Sequence, residues 1–184
     1  MDRDAIDLAL LVFRCAIGAV MIAHGYRHIF GGGKIEGTAG WFESLGMKPG
    51  IFHAWLASLA ELAGGACLVL GFLTPLGGAA VIGTMTVALV TNHFRNGFFI
   101  FYKGEGYEYV MTLVAAGLAL AVVGPGQWSL DNALDIFQPL PAGDGLWIAL
   151  LAGFGGAAGL LAGFWRPERP SAEPSAETAA DNES

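Results

Sequence analysis

The chain has 184 residues, of which 54% are hydrophobic and only 14% charged, with a mean hydropathy of +0.56. Soluble domains carry nearer a quarter charged residues, so a water-soluble fold, or a separate soluble catalytic domain, is excluded. The net charge of −7 owes much to the C-terminal end, where Glu168, Glu173, Glu177, Asp181 and Glu183 stand against Arg169, and the nine Lys and Arg are too dispersed for a nucleic-acid-binding face.

In chain order, the first apolar stretch runs from Ala5 to Phe30. Met1-Asp2-Arg3-Asp4 lacks the basic region of a signal peptide, so this stretch is expected to stay as a span. Further stretches of about the length that crosses a bilayer run from Phe52 to Leu73, Leu76 to His93, Tyr107 to Gly124 and Gly145 to Trp165. Backbone groups in lipid must be paired internally, and continuous apolar runs satisfy this as helices rather than barrel strands. The expected fold class is all-α, a polytopic membrane helical bundle of five spans.

The connections refine this. Thr74-Pro75 separates spans two and three so tightly that they must be antiparallel neighbours, with Pro75 opening the third. Between spans one and two, Thr38 is placed to cap a short interfacial helix carrying Trp41, Phe42 and Leu45 on one side. Gly155, Gly159 and Gly163 form a stripe on span five, a pattern used either for packing within a chain or for homo-oligomer contacts. The Pro-, Ser- and acid-rich stretch 167–184 is expected to be a disordered acidic tail. The division is thus 1–135 for the four-span domain, 136–166 for the fifth helix with its connection, and 167–184 for the tail. Arg27, Lys34, Lys48, Arg95, Lys103, Arg166 and Arg169 share one face, while the opposite face carries Arg3 with Asp131, Asp135 and Asp144. Basic loops stay cytoplasmic, which puts the N-terminus outside and the C-terminus in the cytoplasm.

Charges inside spans are costly and mark function or architecture. Arg14 and Glu61 each lie about 14 Å into their helices from opposite faces, so they are expected to pair at mid-membrane. Such a pair either fixes helix register or relays protons or anions. Nearer the basic face gather His24, Arg27 and His28, then Asn92, His93 and Arg95, then Tyr107, Glu108 and Tyr109. No metal-ligand spacing supports a metal centre among them. Imidazoles beside carboxylates in a partly dry pocket suit proton exchange with a quinone or another small redox ligand. Phe94, Phe98, Phe99, Phe101 and Tyr102 would anchor the third connection at the interface or cover the pocket. Cys15 and Cys67 differ in depth and suggest no disulfide.

Several stretches resemble the DoxX family of small bacterial membrane proteins. They are Phe13 to Gly31 with its Ala-His-Gly-Tyr-Arg-His-Ile-Phe-Gly, Gly37 to Met47, Ala54 to Gly65, Thr91 to Phe99, Gly106 to Tyr109 and Gly124 to Asp131, covering about residues 8–135. The resemblance implies a four-helix bundle in a bacterial cytoplasmic membrane and carries over Arg14, His24, Glu61, His93, Glu108 and Tyr109. It also implies association with quinone-linked thiosulfate oxidation or with thiol-redox complexes, whose soluble chemistry would belong to partner proteins. Span five and the tail depart from the four-span pattern. Together these readings give a small redox-associated subunit in which Glu61, His93, Glu108 and His24 handle protons and Arg14, Arg27, Asn92 and Tyr109 bind the ligand. The alternative is a non-enzymatic scaffold whose buried charges only hold helices together. A transporter is disfavoured by the lack of matched Gly- or Pro-interrupted spans.

Overall fold

The computed structural model describes residues 2–136 and 141–167; most of the expected acidic tail lies outside the described residues. Helix α1 spans Arg3–Phe30, α2 Lys34–Ser44, α3 Gly50–Leu70 and α4 Thr74–Ala88. Helix α4 runs on through a π-helical turn, Leu89–His93, and a 3-10 turn, Phe94–Asn96. Helix α5 spans Glu108–Val123, α6 Leu130–Ala133 and α7 Ala142–Ile148, the last leading through a second π-helical stretch, Ala149–Gly155, into α8, Gly156–Phe164. Arg3–Phe30, Gly50–Leu70, Thr74–Asn96 and Ala142–Phe164 are long and apolar enough to cross a membrane. The apolar α5, at 16 residues, is shorter, about 24 Å at 1.5 Å per residue. The chain is therefore a multi-pass membrane helical bundle.

Local chemistry sets the helix ends. Asp2 accepts from the amide of Asp4 at the start of α1, and Gly71 closes α3 in the left-handed conformation that glycine adopts at little cost. Pro75 sits in the first turn of α4, as the tight hairpin requires. The short helix after α1 exists but starts earlier than its sequence suggests: Gly33 precedes it, and Thr38 lies within it, donating from Oγ1 to the carbonyl of His28 at 2.9 Å. Phe42 is buried, whereas Trp41 beside it is 43% exposed.

The helices meet through glycine. A Cβ at Gly18 would lie 2.6 Å from the carbonyl oxygen of Gly65, and one at Gly65 equally close to that of Gly18, so α1 and α3 touch backbone to backbone. Gly78 and Gly117 do the same for α4 and α5. The fifth long helix packs on α4 and α5 through Gly153 and Gly145. Gly159 and Gly163, by contrast, have no described atom within 4 Å of a would-be Cβ. Intramolecular packing therefore does not use the lower part of the Gly155, Gly159 and Gly163 stripe. The core runs through Met21, Leu68, Val81, Leu113 and Leu120.

Candidate functional site

Arg14 and Glu61 do not form the expected pair. The contacts of Gly18 with Gly65 and Val69, and of Gly25 with Ser58 and Glu61, fix the register of α1 on α3. Glu61 therefore faces Gly25, eleven residues and about 17 Å along α1 from Arg14. Equal depths counted from opposite faces mislead because the two helices are staggered. Arg14 is fully buried near the other end, donating to the carbonyls of Leu68 at 3.1 Å and Trp128 at 2.6 Å. Beside it Asp131, also fully buried, accepts from the amides of Leu73 and Thr74 at 2.7 and 2.9 Å. This carboxylate caps α4 from 57 residues away, a task usually done by the residue just before a helix. Arg14 and Asp131 together tie the loop after α5 to the α3–α4 hairpin.

Glu61, 4% exposed, meets His28 instead, with Oε2 3.2 Å from Nδ1. Neither atom has another hydrogen-bond partner among the described residues. The pair lines a cavity of about 710 Å³ between α1, α2, α3, α4, α5, α8 and the loop before α5. His24, Asn92, His93, Glu105 and Tyr109 also line it, as do Thr84 and Thr91. The size falls within the range of about 300–1,000 Å³ typical of small-molecule sites. Most of the wall is apolar, built from Leu56, Ala57, Ala60, Ala80, Val87 and Leu160 among others.

One lining residue escapes the sequence reading altogether. His53 is 2% exposed, and neither ring nitrogen has a hydrogen-bond partner among the described residues. Its ring sits among Phe42, Phe52 and Phe164, with centroids 6.4, 5.1 and 5.1 Å away. The available signal was spacing: His53, Ala57 and Glu61 follow at intervals of four, on one helix face. His28 stands one helical turn from His24 in the sequence, but no local signal there marks it as the partner of Glu61.

The remaining candidates divide clearly. Glu61, His24, His93, Asn92 and Tyr109 come together around the cavity. His93 is held by its neighbours, with Nδ1 2.9 Å from the carbonyl oxygen of Glu105 and Nε2 3.3 Å from Asn92 Nδ2. Asn96 reinforces this clasp by donating to the carbonyls of Gly104 and Glu105 at 2.6 and 3.2 Å. Glu108 stays outside the cavity lining, its Oε1 accepting from the amide of Ile100 at 3.2 Å. Its role is to hold the 97–107 loop, from which Ile100 reaches the cavity. Arg27 is exposed and absent from the lining, and Arg14 belongs to the far end. The π-helical turn explains why Thr91, Asn92 and His93 reach the cavity together: an extra residue per turn re-aims the side chains that follow it. Among the described residues no three of His, Cys, Asp and Glu converge as a metal centre requires, and both cysteines are free.

Chemically, the site joins a carboxyl–imidazole pair able to pass a proton with a buried imidazole that lies near the Lys48 backbone, inside an otherwise apolar chamber. Comparison with known proteins agrees on lineage. The family model described as DoxX matches residues 9–94. The inner membrane protein YqjF of Escherichia coli K12 is 32% identical over 136 residues, 70% of this chain and 94% of that protein. The inner membrane protein YphA of the same organism is 29% identical over 126 residues, 67% of this chain and 88% of its own length. No solved structure matches significantly. On this evidence the chain belongs to the DoxX family of membrane proteins.

Proposed function

We propose that this protein is a small redox-associated subunit of a bacterial cytoplasmic membrane that binds a quinone or a similar small redox ligand at the Glu61 end of the cavity. The two relatives named as inner membrane proteins support the location. The observation that carries the ligand reading is a set of under-satisfied buried polar atoms on residues that all line one apolar chamber: His53 Nδ1 and Nε2, which make no hydrogen bond among the described residues, and Glu61 Oε2 with His28 Nδ1, which have only each other. Buried polar groups normally find partners, and a site that leaves several open on one cavity is built for a guest.

The residues fit a quinone: its ring and substituents suit the apolar wall, and its carbonyl oxygens can accept from an imidazole N–H. A bound quinone would supply two-electron, two-proton chemistry. Glu61 and His28 hold a proton between them, with His24 beside them in the lining. Asn92 and Tyr109 orient the ligand, His93 positions the 97–107 loop, and the apolar wall excludes water. Donors or acceptors of electrons would be partner proteins.

The test is lipid extraction and native mass spectrometry on gently purified protein. A co-purifying quinone near one per chain, lost in Glu61→Gln and in His53→Phe, is the expected result. Protein partners without any quinone in the wild type would favour the scaffold reading, with the cavity polar groups serving architecture alone.

A further inference from the structure

The cavity has a side opening, and it lies beside the fifth long helix. Helix α4 packs against α3 on one side and against the Ala149–Gly155 and α8 segment on the other, while α3 and that segment make no comparable contact with each other. Between them lies a slot. Its floor is the face of α4 carrying Ala80, Gly83, Thr84 and Val87, all small or slender and spaced three and four apart. One lip is Leu56 and Ala60 of α3, and the other is Ala152 and Gly156. Leu56, Ala152 and Gly156 are exposed, and a Cβ on Gly156 would meet no described atom within 4 Å.

At the basic end the slot is shut. Phe52 and Phe164 bring their rings to 5.6 Å, Phe164 stands against His53, and Trp165 donates from Nε1 to the carbonyl of Leu45 at 3.0 Å. The amide of Arg166 also donates to the carbonyl of Gly46 at 2.8 Å. What stays open is therefore the flank at the depth of the hydrocarbon. Water-soluble molecules have no business there, since this flank faces acyl chains.

We propose that this slot is a lateral portal through which a chain-bearing membrane lipid with an uncharged, hydrogen-bonding headgroup reaches the cavity. Its head lies between Glu61 and His53, which are about 12 Å apart along α3, and its chain lies in the slot against α4 and Gly156. An anionic headgroup is disfavoured because the Glu61 and Glu105 side of the cavity is acidic and the lining includes no Lys or Arg. The fifth long helix thereby gains a role, as one wall of the portal. This inference rests on the ligand reading above and adds the ligand's class and path.

The test uses two probes, a decyl-chain benzoquinone and the same ring without the chain, with binding measured on the full-length protein in nanodiscs. The wild type should bind the decyl probe at least tenfold more tightly. Gly156→Phe should reduce the decyl probe to the affinity of the bare ring while leaving bare-ring binding unchanged, which also shows that the variant is folded. Gly163→Phe, on the same helix but outside the cavity lining, should change neither. Equal affinity of the two probes for the wild type, or a Gly156→Phe variant that keeps the chain preference, would overturn the portal while leaving the ligand reading intact. Binding of neither probe to the wild type would overturn both.

Discussion

At the scale of single residues, two buried charges serve different ends of the molecule. The guanidinium of Arg14 is fully buried, and its donors go to the backbone carbonyls of Leu68 and Trp128. Replacing it by Gln should lower stability by about 3 kcal/mol, since hydrogen bonds to a charged group are worth roughly 1.5–3 kcal/mol each. Thermal unfolding in a mild detergent would register this as a clear fall in Tm, with ligand affinity in the surviving folded fraction unchanged. Glu61 should behave in the opposite way, governing the ligand more than the fold. A double-mutant cycle separates the two arrangements directly. His28→Gln with Glu61→Gln should show coupling of about 0.5–3 kcal/mol, as residues in contact do. Arg14→Gln with Glu61→Gln should be additive to within about 0.5 kcal/mol. Coupling in the second cycle and additivity in the first would restore the mid-membrane pair that the sequence alone suggests.

At the scale of elements, the glycines decide which helices touch. Gly65→Val drives a branched side chain into the backbone of α1 at Gly18, where the contact is already 2.6 Å from a first carbon. The helix itself must move, so a loss of about 1–3 kcal/mol or more is expected. Gly159→Val meets open space and should stay within about 0.5 kcal/mol of the wild type in the monomer. If size-exclusion chromatography shows a larger wild-type species that Gly159→Val dissociates, that face joins copies of the chain. These elements also show what a sequence exposes and what it hides. The long helices, the Pro75 hairpin and the short helix before α3 are legible because hydrophobic runs and helix-end residues are local signals. Which glycines would pair was not, since Gly18 and Gly65 are 47 positions apart and only their common depth matters. The π-helical turns were equally invisible, yet one of them brings Thr91, Asn92 and His93 to the cavity. For the site, residue types and neighbourhoods were readable at His24, Asn92, His93 and Tyr109. The partner of Glu61 was not, because it depended on the stagger of two helices.

At the scale of the whole molecule, charge is segregated along the bundle axis. Asp7 accepts from the amide of Gln127, so Asp2, Asp4, Asp7 and Asp131 lie at one end. The other end is fixed by the contact of Met47 with Trp165, and it carries Lys48 and Arg166, with Arg27 and Lys34 around α2. The described termini thus lie at opposite ends, as an odd number of passes requires, and α5 must count as a pass although it is the shortest. From the excess of Lys and Arg, the basic end is predicted to face the cytoplasm. The cavity's polar cluster then lies in the cytoplasmic half of the bilayer, where soluble electron donors or acceptors would meet it. The prediction is checked by single cysteines in a background with Cys15 and Cys67 replaced by Ser. In intact spheroplasts a membrane-impermeant maleimide should label Asp144→Cys and leave Lys34→Cys untouched until the membrane is opened. The reverse labelling would turn the molecule over and direct the Glu61 cavity to the outer side, where its protons would exchange with the external medium. Labelling of both positions from outside would instead mean that α1 to α8 cross an even number of times, removing α5 from the spanning set. The short α5 makes that last outcome a real test: at about 24 Å it must be matched by local thinning of the bilayer or by its loops dipping inward. The aromatic loop before it, with Phe98, Phe99, Phe101 and Tyr102 exposed, is suited to that position.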